Sequence, residues 1–287
     1  MNDAAGAARR MWTLFEPVHV VTYFTPEARA GFEAAGLRGF WRGYFAGRAA
    51  PLGRPGPAVV TASFYNFAPP MVARALPAVW DLVTPQDALT ARSAGAVAAL
   101  RRLLGERAAG LTALADRLLR VTDGLDCSGR VLAAANAALP APAEPAARLW
   151  HAATLLREHR GDGHSAALLA ADIEGCEALV LRAGADLSRE VLQPIRGWSD
   201  EEWDQAAARL AGRGWLGEDG RVTPEGTAAR QAVEDATDRA AARPWARLGT
   251  AGTGELAGLL APVARACAAE LPFPNPVGVP QPAVDPA

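Results

Sequence analysis

The leucines of residues 85–122 constrain the fold more strongly than any other feature of this sequence. They recur at steps of three or four residues: Leu100, Leu103, Leu104, Leu111, Leu114, Leu118 and Leu119. This spacing places them on one face of a helix, as burial of an amphipathic helix requires. Gly105 and Gly110 predict a break between two helices. Helical patterns continue along most of the chain, and the sequence therefore predicts a mainly α-helical protein.

Length and composition are those of an ordinary globular chain. Its 287 residues suffice for a sizeable core, as one large domain or two small ones. Half of the residues are hydrophobic, and no stretch approaches the roughly 18 to 20 apolar residues of a membrane-spanning helix. Arg9 and Arg10 are not followed by the apolar run of a signal peptide. We therefore expect a cytoplasmic protein with no membrane partner.

The charge balance argues against general binding to nucleic acid. Every basic residue is an arginine, and 29 of them face 31 acidic residues, which gives a net charge of −2. Affinity for DNA depends on cationic side chains that neutralise phosphates. Only a local basic patch would provide it here.

The cysteines and histidines do not have the spacing of metal ligands. Cys127, Cys176 and Cys267 are far apart and are expected to be buried as small hydrophobic residues. His151, His159 and His164 lie at steps of eight and five, which do not set three ligands on one helical face. We expect no metal site, and the sequence specifies neither a cofactor nor an oligomeric state.

The first 70 residues are rich in aromatic side chains and contain several local signals. Pro17 is expected to interrupt any helix that crosses it. Thr25 predicts the start of a helix that ends near Gly36. Glycines 39, 43 and 47 would leave one bare helical face that another group can approach closely. The run Val59 to Phe64 predicts a strand.

A linker-like segment at 141–145 suggests two halves. We expect a helical N-terminal half at 1–140, for which a degenerate winged-helix-like unit is one alternative, and a winged-helix-like C-terminal half at 146–272. Residues 273–287 form a proline-rich tail, and its last dozen residues are expected to be disordered. Within the C-terminal half, the sequence RGDG is expected to separate a helix at 146–159 from one at 164–171.

Residues 197–241 predict a helix, a turn, two short strands and a second helix. Ser199 and Thr223 are helix caps, and Asp219-Gly220 is a typical hairpin turn. This order resembles the recognition helix, wing and following helix of MarR-type winged helix-turn-helix regulators over about 50 residues. An unrelated α-β-β-α unit is the alternative.

The expected recognition helix has the wrong charge for reading DNA. In such regulators its first turn enters the major groove. Here that turn carries Asp200, Glu201, Glu202 and Asp204, and each carboxylate is repelled by a nearby phosphate by roughly 1 kcal/mol in water. Duplex DNA is therefore an unlikely partner for this element.

Six segments along nearly the whole chain resemble a family of actinobacterial proteins described as helix-turn-helix or SalK-like. They are EPVHVVTYF, GFWRGYFAGRAAPLG, ASFYNFAPP, RGDGHSAAL, RGWSDEEW and PNPVG. The resemblance implies the architecture and supplies no activity.

Polar residues next to aromatic ones are the candidates for a site. We consider His164, Asp162 and His19 as catalytic candidates, because a carboxylate can orient an imidazole for proton transfer. Asp162 as a helix cap and His19 as a core histidine are the alternatives. The ligand-binding candidates are Arg160, Tyr23, Asn66, Tyr65 and Trp41. An apolar or anionic small molecule is the partner that they favour, although Asn66 is also typical of a turn and the aromatic residues of a core.

Three classes of function remain at this point. The first is a small-molecule-binding protein or a cofactor-independent enzyme on a repurposed winged-helix scaffold. The second is a ligand-responsive transcriptional regulator of MarR-like type. The third is a structural or interaction protein without a pocket.

Overall fold

Fifteen α-helices account for most of residues 3–281, the part of the chain that the computed structural model describes. They are α1 (Asp3–Phe24), α2 (Pro26–Ala34), α3 (Phe40–Ala49), α4 (Pro57–Phe64), α5 (Pro69–Ala73), α6 (Val79–Leu82), α7 (Pro85–Leu104), α8 (Leu111–Val121), α9 (Val131–Ala137), α10 (Pro145–Ala170), α11 (Gly175–Ala183), α12 (Arg189–Arg196), α13 (Asp200–Gly212), α14 (Pro224–Ala240) and α15 (Arg243–Ala268). Short 3₁₀ segments lie at Ala50–Leu52 and Gly105–Gly110. The predicted mainly helical fold class is confirmed.

Several helix ends lie where the sequence predicts them. The 3₁₀ segment between α7 and α8 is the predicted break at Gly105 and Gly110. The Thr25 hydroxyl accepts a hydrogen bond from the Ala28 N–H at the start of α2. Local capping chemistry therefore determines these ends.

Two predictions for the aromatic-rich segment are wrong. Residues 59–64 lie in α4, where Val60 and Phe64 are buried four residues apart, so packing of a helical face outweighs the β propensity of the run. Pro17 lies inside α1, which continues for 22 residues. The cost of one lost backbone hydrogen bond is offset by packing of α1 along α15.

The predicted interruption at RGDG is also wrong. Helix α10 runs without a break through Gly161 and Gly163. It is the central helix of the fold and packs against α1, α7, α8, α9 and α14. Two glycines cost a helix roughly 1 kcal/mol each, and burial of so long a helix outweighs that cost.

Three hydrophobic clusters organise the described residues. The largest joins α1, α7, α8, α10 and α15, and thus helices from both sides of residues 141–145. A second lies among α2–α7 and contains most of the buried aromatic residues. The third holds α11–α14 together. The division into 1–140 and 146–272 stays a prediction.

The segment predicted to resemble a winged helix-turn-helix lies in α13 and α14, which share a hydrophobic cluster with α11 and α12; we refer to α11–α14 as the helix-turn-helix unit. Ser199 and Glu202 form a capping box at the start of α13. The two strands expected after α13 are reduced to a single antiparallel bridge between Leu216 and Val222, and the structure assigns no strand anywhere in 3–281. The predicted wing is therefore a short turn, closed by backbone hydrogen bonds from Gly217 N to Arg221 O and from Thr223 N to Trp215 O.

The C-terminal segment is described as far as residue 281. Asn275 closes a turn through side-chain hydrogen bonds to the backbone of Val279, so residues 276–279 of the segment expected to be disordered form an ordered turn. The remainder of the predicted tail, 282–287, lies outside the described residues. Cys176 and Cys267 are buried as expected, whereas Cys127 is partly exposed. Within the described part of the chain, no helix is both long and apolar enough to cross a membrane.

Candidate functional site

A cavity of about 500 Å³ lies between the aromatic-rich helices and the helix-turn-helix unit. Helices α1 and α10 form its base, α3 and α4 one side, and α11, α12 and α14 the other. The turn at 276–278 completes the enclosure. This volume is within the range of about 300–1,000 Å³ that is usual for small-ligand sites.

Aromatic rings form one continuous side of the cavity. They come from α1, α3, the end of α4 and the turn after it: Tyr23, Phe24, Phe40, Trp41, Tyr44, Phe64, Tyr65 and Phe67. The Tyr44 ring centroid lies 5.1 Å from that of Tyr23 and 5.5 Å from that of Phe67. The rings are therefore held by one another, and their remaining faces suit a flat apolar ligand.

The glycines of α3 explain why these rings turn towards the cavity. A Cβ at Gly43 or Gly47 would overlap the ring of Phe32, which packs against the bare face of α3. The predicted close approach is found at Gly43 and Gly47, where a side-chain ring and not a backbone makes it, and is absent at Gly39. It presses one face of α3 onto α2 and leaves Trp41 and Tyr44 on the cavity side.

Hydrogen bonds of the turn after α4 connect the aromatic side of the cavity to the helix-turn-helix unit. Tyr65 has a φ of +62°, and the Asn66 N–H donates to Phe64 O at 2.7 Å, which is the geometry of a γ-turn. The Tyr65 hydroxyl donates to Ile173 O at 2.6 Å, and Trp198 Nε1 donates to Asn66 O at 3.0 Å. Asn66 is thus a turn residue and also lines the cavity.

Buried ion pairs form the base of the cavity. Arg48 binds both carboxylate oxygens of Glu158 at 3.1 Å, and Arg157 binds Glu158 at 2.8 Å and Glu16 at 3.4 Å. Burial alone would raise the pKa of Glu158, but the attraction of Arg157 and Arg48 outweighs it and holds this pKa well below its ordinary value. Burial raises the pKa of Glu16, which lines the cavity.

Arg160, a predicted anion-binding residue, lines the cavity with its charge already compensated. Its Nη2 lies 3.3 Å from Glu234, and its Nη1 lies 2.9 Å from Asp238 as a charge contact without hydrogen-bond geometry. The guanidinium also lies 4.8 Å from the centroid of the Trp12 ring. Arg160 is therefore a weaker anchor for an anion than its sequence context indicates.

His164 lies in α10 and lines the cavity. Its Nδ1 is 2.9 Å from the Thr237 hydroxyl, and that hydroxyl donates its only proton to Val233 O. Thr237 must therefore accept from His164, so the neutral ring is protonated at Nδ1 and Nε2 is a free base. Burial lowers the pKa of His164, which keeps the ring neutral at pH 7.

Asp162 does not pair with His164. Its carboxylate accepts a hydrogen bond from the Ala133 N–H at 2.9 Å and thus caps α9 from outside that helix. The proposed cap of a helix starting at His164 is also wrong, because α10 is continuous there. Asp162 is not among the residues that line the cavity, and burial raises its pKa to about 6.

His19 reaches the cavity only through Tyr23. It is 1% exposed, its Nδ1 lies 3.0 Å from the Thr154 hydroxyl, and its Nε2 lies 3.2 Å from the Tyr23 hydroxyl. Thr154 donates to Trp150 O, so His19 donates through Nδ1 and accepts the Tyr23 proton at Nε2. Burial, together with nearby Arg157, lowers the pKa of His19 well below its ordinary value.

Six of the eight residues named from the sequence thus line one cavity: His164, Arg160, Tyr23, Asn66, Tyr65 and Trp41. Asp162 and His19 lie behind its wall. Residues 4–281 contain no group of three histidine, cysteine or acidic side chains placed to hold a metal ion.

Arg196 and Glu16 line the cavity but were not identified from the sequence. A signal was available, because both lie in segments that carry the whole-chain resemblance, RGWSDEEW and EPVHVVTYF. Each of the six segments contributes residues to the cavity wall. That these six segments meet around one cavity is visible only in the folded structure.

The comparisons assign the chain to a family. A family model described as a helix-turn-helix family matches residues 8–274, which include the aromatic-rich helices as well as α11–α14. The chain belongs to this helix-turn-helix family. No curated protein and no solved structure matches it.

Proposed function

We propose that this member of the helix-turn-helix family binds an apolar or anionic small molecule in the cavity between α3, α10 and α12. The cavity itself is the observation that supports this function, because aromatic rings and a few convergent polar groups are typical of ligand sites. We also propose a cytoplasmic location, an actinobacterial origin with a SalK-like relationship, and an α11–α14 unit of the MarR type.

Two cavity groups favour proton-transfer chemistry on the ligand without a cofactor. His164 presents an unprotonated Nε2, and Glu16 has a raised pKa because it is buried. A neutral imidazole and a carboxyl with a raised pKa are suited to act as base and acid. Under this proposal a bound ligand exchanges protons with these side chains.

Filling the cavity from Gly161 tests the proposed function. A Cβ at Gly161 would meet no atom closer than 3.9 Å, so a side chain placed there has room to enter the cavity. We expect Gly161→Phe to weaken binding of the neutral fluorophore N-phenyl-1-naphthylamine at least tenfold. The free energy of unfolding should not fall, because glycine is the poorer helix former.

Gly258→Phe is the matched control. Gly258 is exposed on α15 and does not line the cavity, and a Cβ at this position would meet nothing within 4 Å. This variant should bind the fluorophore as the wild type does. Absence of binding by the wild type, or equal binding by both variants, would contradict the proposed function.

One observation favours the ligand-responsive regulator as a second candidate. The cavity is lined by α11, α12 and α14 of the helix-turn-helix unit, and Arg196 is separated from the cap of α13 by only two residues. A ligand would therefore touch the helices next to α13, the element that corresponds to the DNA-reading helix of such regulators.

The charges of α13 argue against that candidate. Asp200 and Asp204 are 86% and 66% exposed although both contact Arg189, and Arg209 is paired with Glu177 and Glu174. We expect no change in the fluorescence anisotropy of a labelled random duplex at physiological salt. Binding that is lost in the Arg221→Gln variant would favour the regulator instead.

A further inference from the structure

Arg196 differs from the other arginines that line the cavity. Five of them lie 3.9 Å or less from a carboxylate: Arg48, Arg157, Arg160, Arg182 and Arg230. Within the described part of the chain, Arg196 has no carboxylate at ion-pair distance. It is the cavity arginine whose charge the protein leaves uncompensated.

The hydrogen-bonding capacity of Arg196 is also largely unused. Its Nη2 donates to Pro276 O at 3.3 Å, and its Nε is sealed from solvent without a partner. A guanidinium carries five N–H donors in a planar fork that matches a carboxylate. Several of these donors remain available on a side chain that lines the cavity.

The surroundings of Arg196 make an unpaired guanidinium unfavourable in free energy. Burial, chiefly, and the nearby charges of Arg48 and Arg182 lower the pKa of Arg196 to about 10, so the guanidinium is still protonated at pH 7. Arg196 is half-buried, and a cation that loses part of its water without a counter-ion destabilises the protein. An anionic group entering the cavity would offset that cost.

The position of the charge defines the ligand. The Arg196 guanidinium lies 4.5 Å from the centroid of the Phe67 ring, and Phe67 contacts Trp41 and Tyr44 at centroid distances of 5.8 and 5.5 Å. The anion-binding group therefore lies at the edge of the aromatic wall. A ligand in the cavity would therefore meet the apolar ring faces and the Arg196 cation side by side.

We propose that the cavity binds an aromatic or polycyclic small molecule with an acidic group, and that Arg196 binds the acidic group while the rings of Trp41, Tyr44 and Phe67 hold the apolar body. This inference rests on the proposed small-molecule function and specifies its ligand class. Charge-assisted hydrogen bonds from a planar guanidinium to an oxyanion are among the stronger polar contacts in proteins.

A pair of fluorophores that differ in charge tests the role of Arg196. Anilinonaphthalene sulfonate carries an anionic group, and N-phenyl-1-naphthylamine has the same rings without it. We expect Arg196→Gln to weaken binding of the sulfonate about tenfold or more and to change binding of the neutral probe less than about twofold. Arg196→Lys should retain an intermediate affinity for the sulfonate, because it keeps the charge without the fork.

Arg42→Gln is the matched control, since Arg42 lies on α3 but is exposed and does not line the cavity. It should bind both probes as the wild type does. Equal losses of both probes in Arg196→Gln would assign Arg196 to holding the turn at Pro276 and overturn the inference. An unchanged affinity for the sulfonate would also overturn it, with the proposed function intact if the neutral probe still binds. Failure of the wild type to bind either probe would overturn both.

Discussion

The two sides of the cavity face the same space but differ in how their charges are arranged. On the paired side, which is the base formed by α1 and α10, the arginines lie against carboxylates, and Arg48 reaches this base from α3 to bind Glu158 together with Arg157. On the other side, Arg196 of α12 lies at the aromatic wall and has no carboxylate partner among residues 3–281. The arginine charges of the first side are compensated without a ligand, and the charge of Arg196 on the second side is not. The difference teaches that a charged residue in a cavity wall indicates a binding role only when its partners have been identified.

The largest effect is expected from disrupting the paired side. Glu158→Gln would leave Arg48 and Arg157 buried with only Glu16 nearby, and Glu158 is 1% exposed. We expect the free energy of unfolding to fall by about 3–5 kcal/mol, as when one partner of a buried ion pair is removed. Urea unfolding of the purified variant measures it.

Glu255→Gln provides the contrast on the surface. Glu255 is 66% exposed in its pair with Arg117, so this variant should lose less than about 1 kcal/mol. Similar losses in the two variants would show that the paired side does not stabilise the fold as we infer.

A smaller and pH-dependent effect is expected behind the paired side, at Asp162. Its pKa of about 6 in the folded state exceeds the ordinary value of 3.8, because the carboxyl is buried. Its contribution to stability is therefore full below pH 3.8 and is lost as the pH rises to 6, by up to about 3 kcal/mol.

Asp162→Asn keeps a hydrogen-bond acceptor for Ala133 without this titration. Relative to wild type, the variant should gain stability between pH 4 and pH 7, as measured by urea unfolding at both pH values. A difference that does not vary with pH would contradict the raised pKa. Binding of N-phenyl-1-naphthylamine should be unchanged, because Asp162 does not line the cavity.

The smallest effect on the free energy of unfolding is expected from replacing His164, which lines the cavity. His164→Ala should change the free energy of unfolding by less than about 1 kcal/mol, since one hydrogen bond of a partly buried side chain is lost. Chemical modification of the imidazole tests the position of His164 more directly than stability does. Diethyl pyrocarbonate should modify His164 at its free Nε2 at pH 7, and bound N-phenyl-1-naphthylamine should protect it.

His19 is the internal control for that reaction. It has the same threonine contact at Nδ1, but its Nε2 accepts from Tyr23 and the ring is buried. Peptide mass mapping should therefore find His164 modified and His19 unmodified. The reverse pattern would contradict the assignment of His164 to the cavity.

Much of the fold follows from local sequence patterns. The leucine spacing and the caps at Thr25 and Ser199 predict helices and their ends, because these signals depend on residues a few positions apart. The wrong predictions at Pro17, Gly161 and Val59 share another cause. In each case burial against distant segments outweighs the local preference of the backbone.

Local sequence patterns predict the candidate site only in part, as they do the fold. Aromatic side chains beside Tyr23 and Asn66 indicate a wall, since polar residues stand among apolar and aromatic ones in these two segments. The compensation of Arg160 by Glu234 and Asp238 depends on residues more than 70 positions away. The same is true of the absence of such partners around Arg196. Only the folded chain distinguishes these two arginines.

The turn at 276–278 has a consequence for how the protein is made. It supplies part of the cavity wall, while Tyr23 and Trp41 come from the other end of the chain. During translation the first helices emerge from the ribosome more than 200 residues before this turn does. The nascent chain thus exposes an aromatic surface without its final cover, and the complete site forms only when synthesis has passed residue 278.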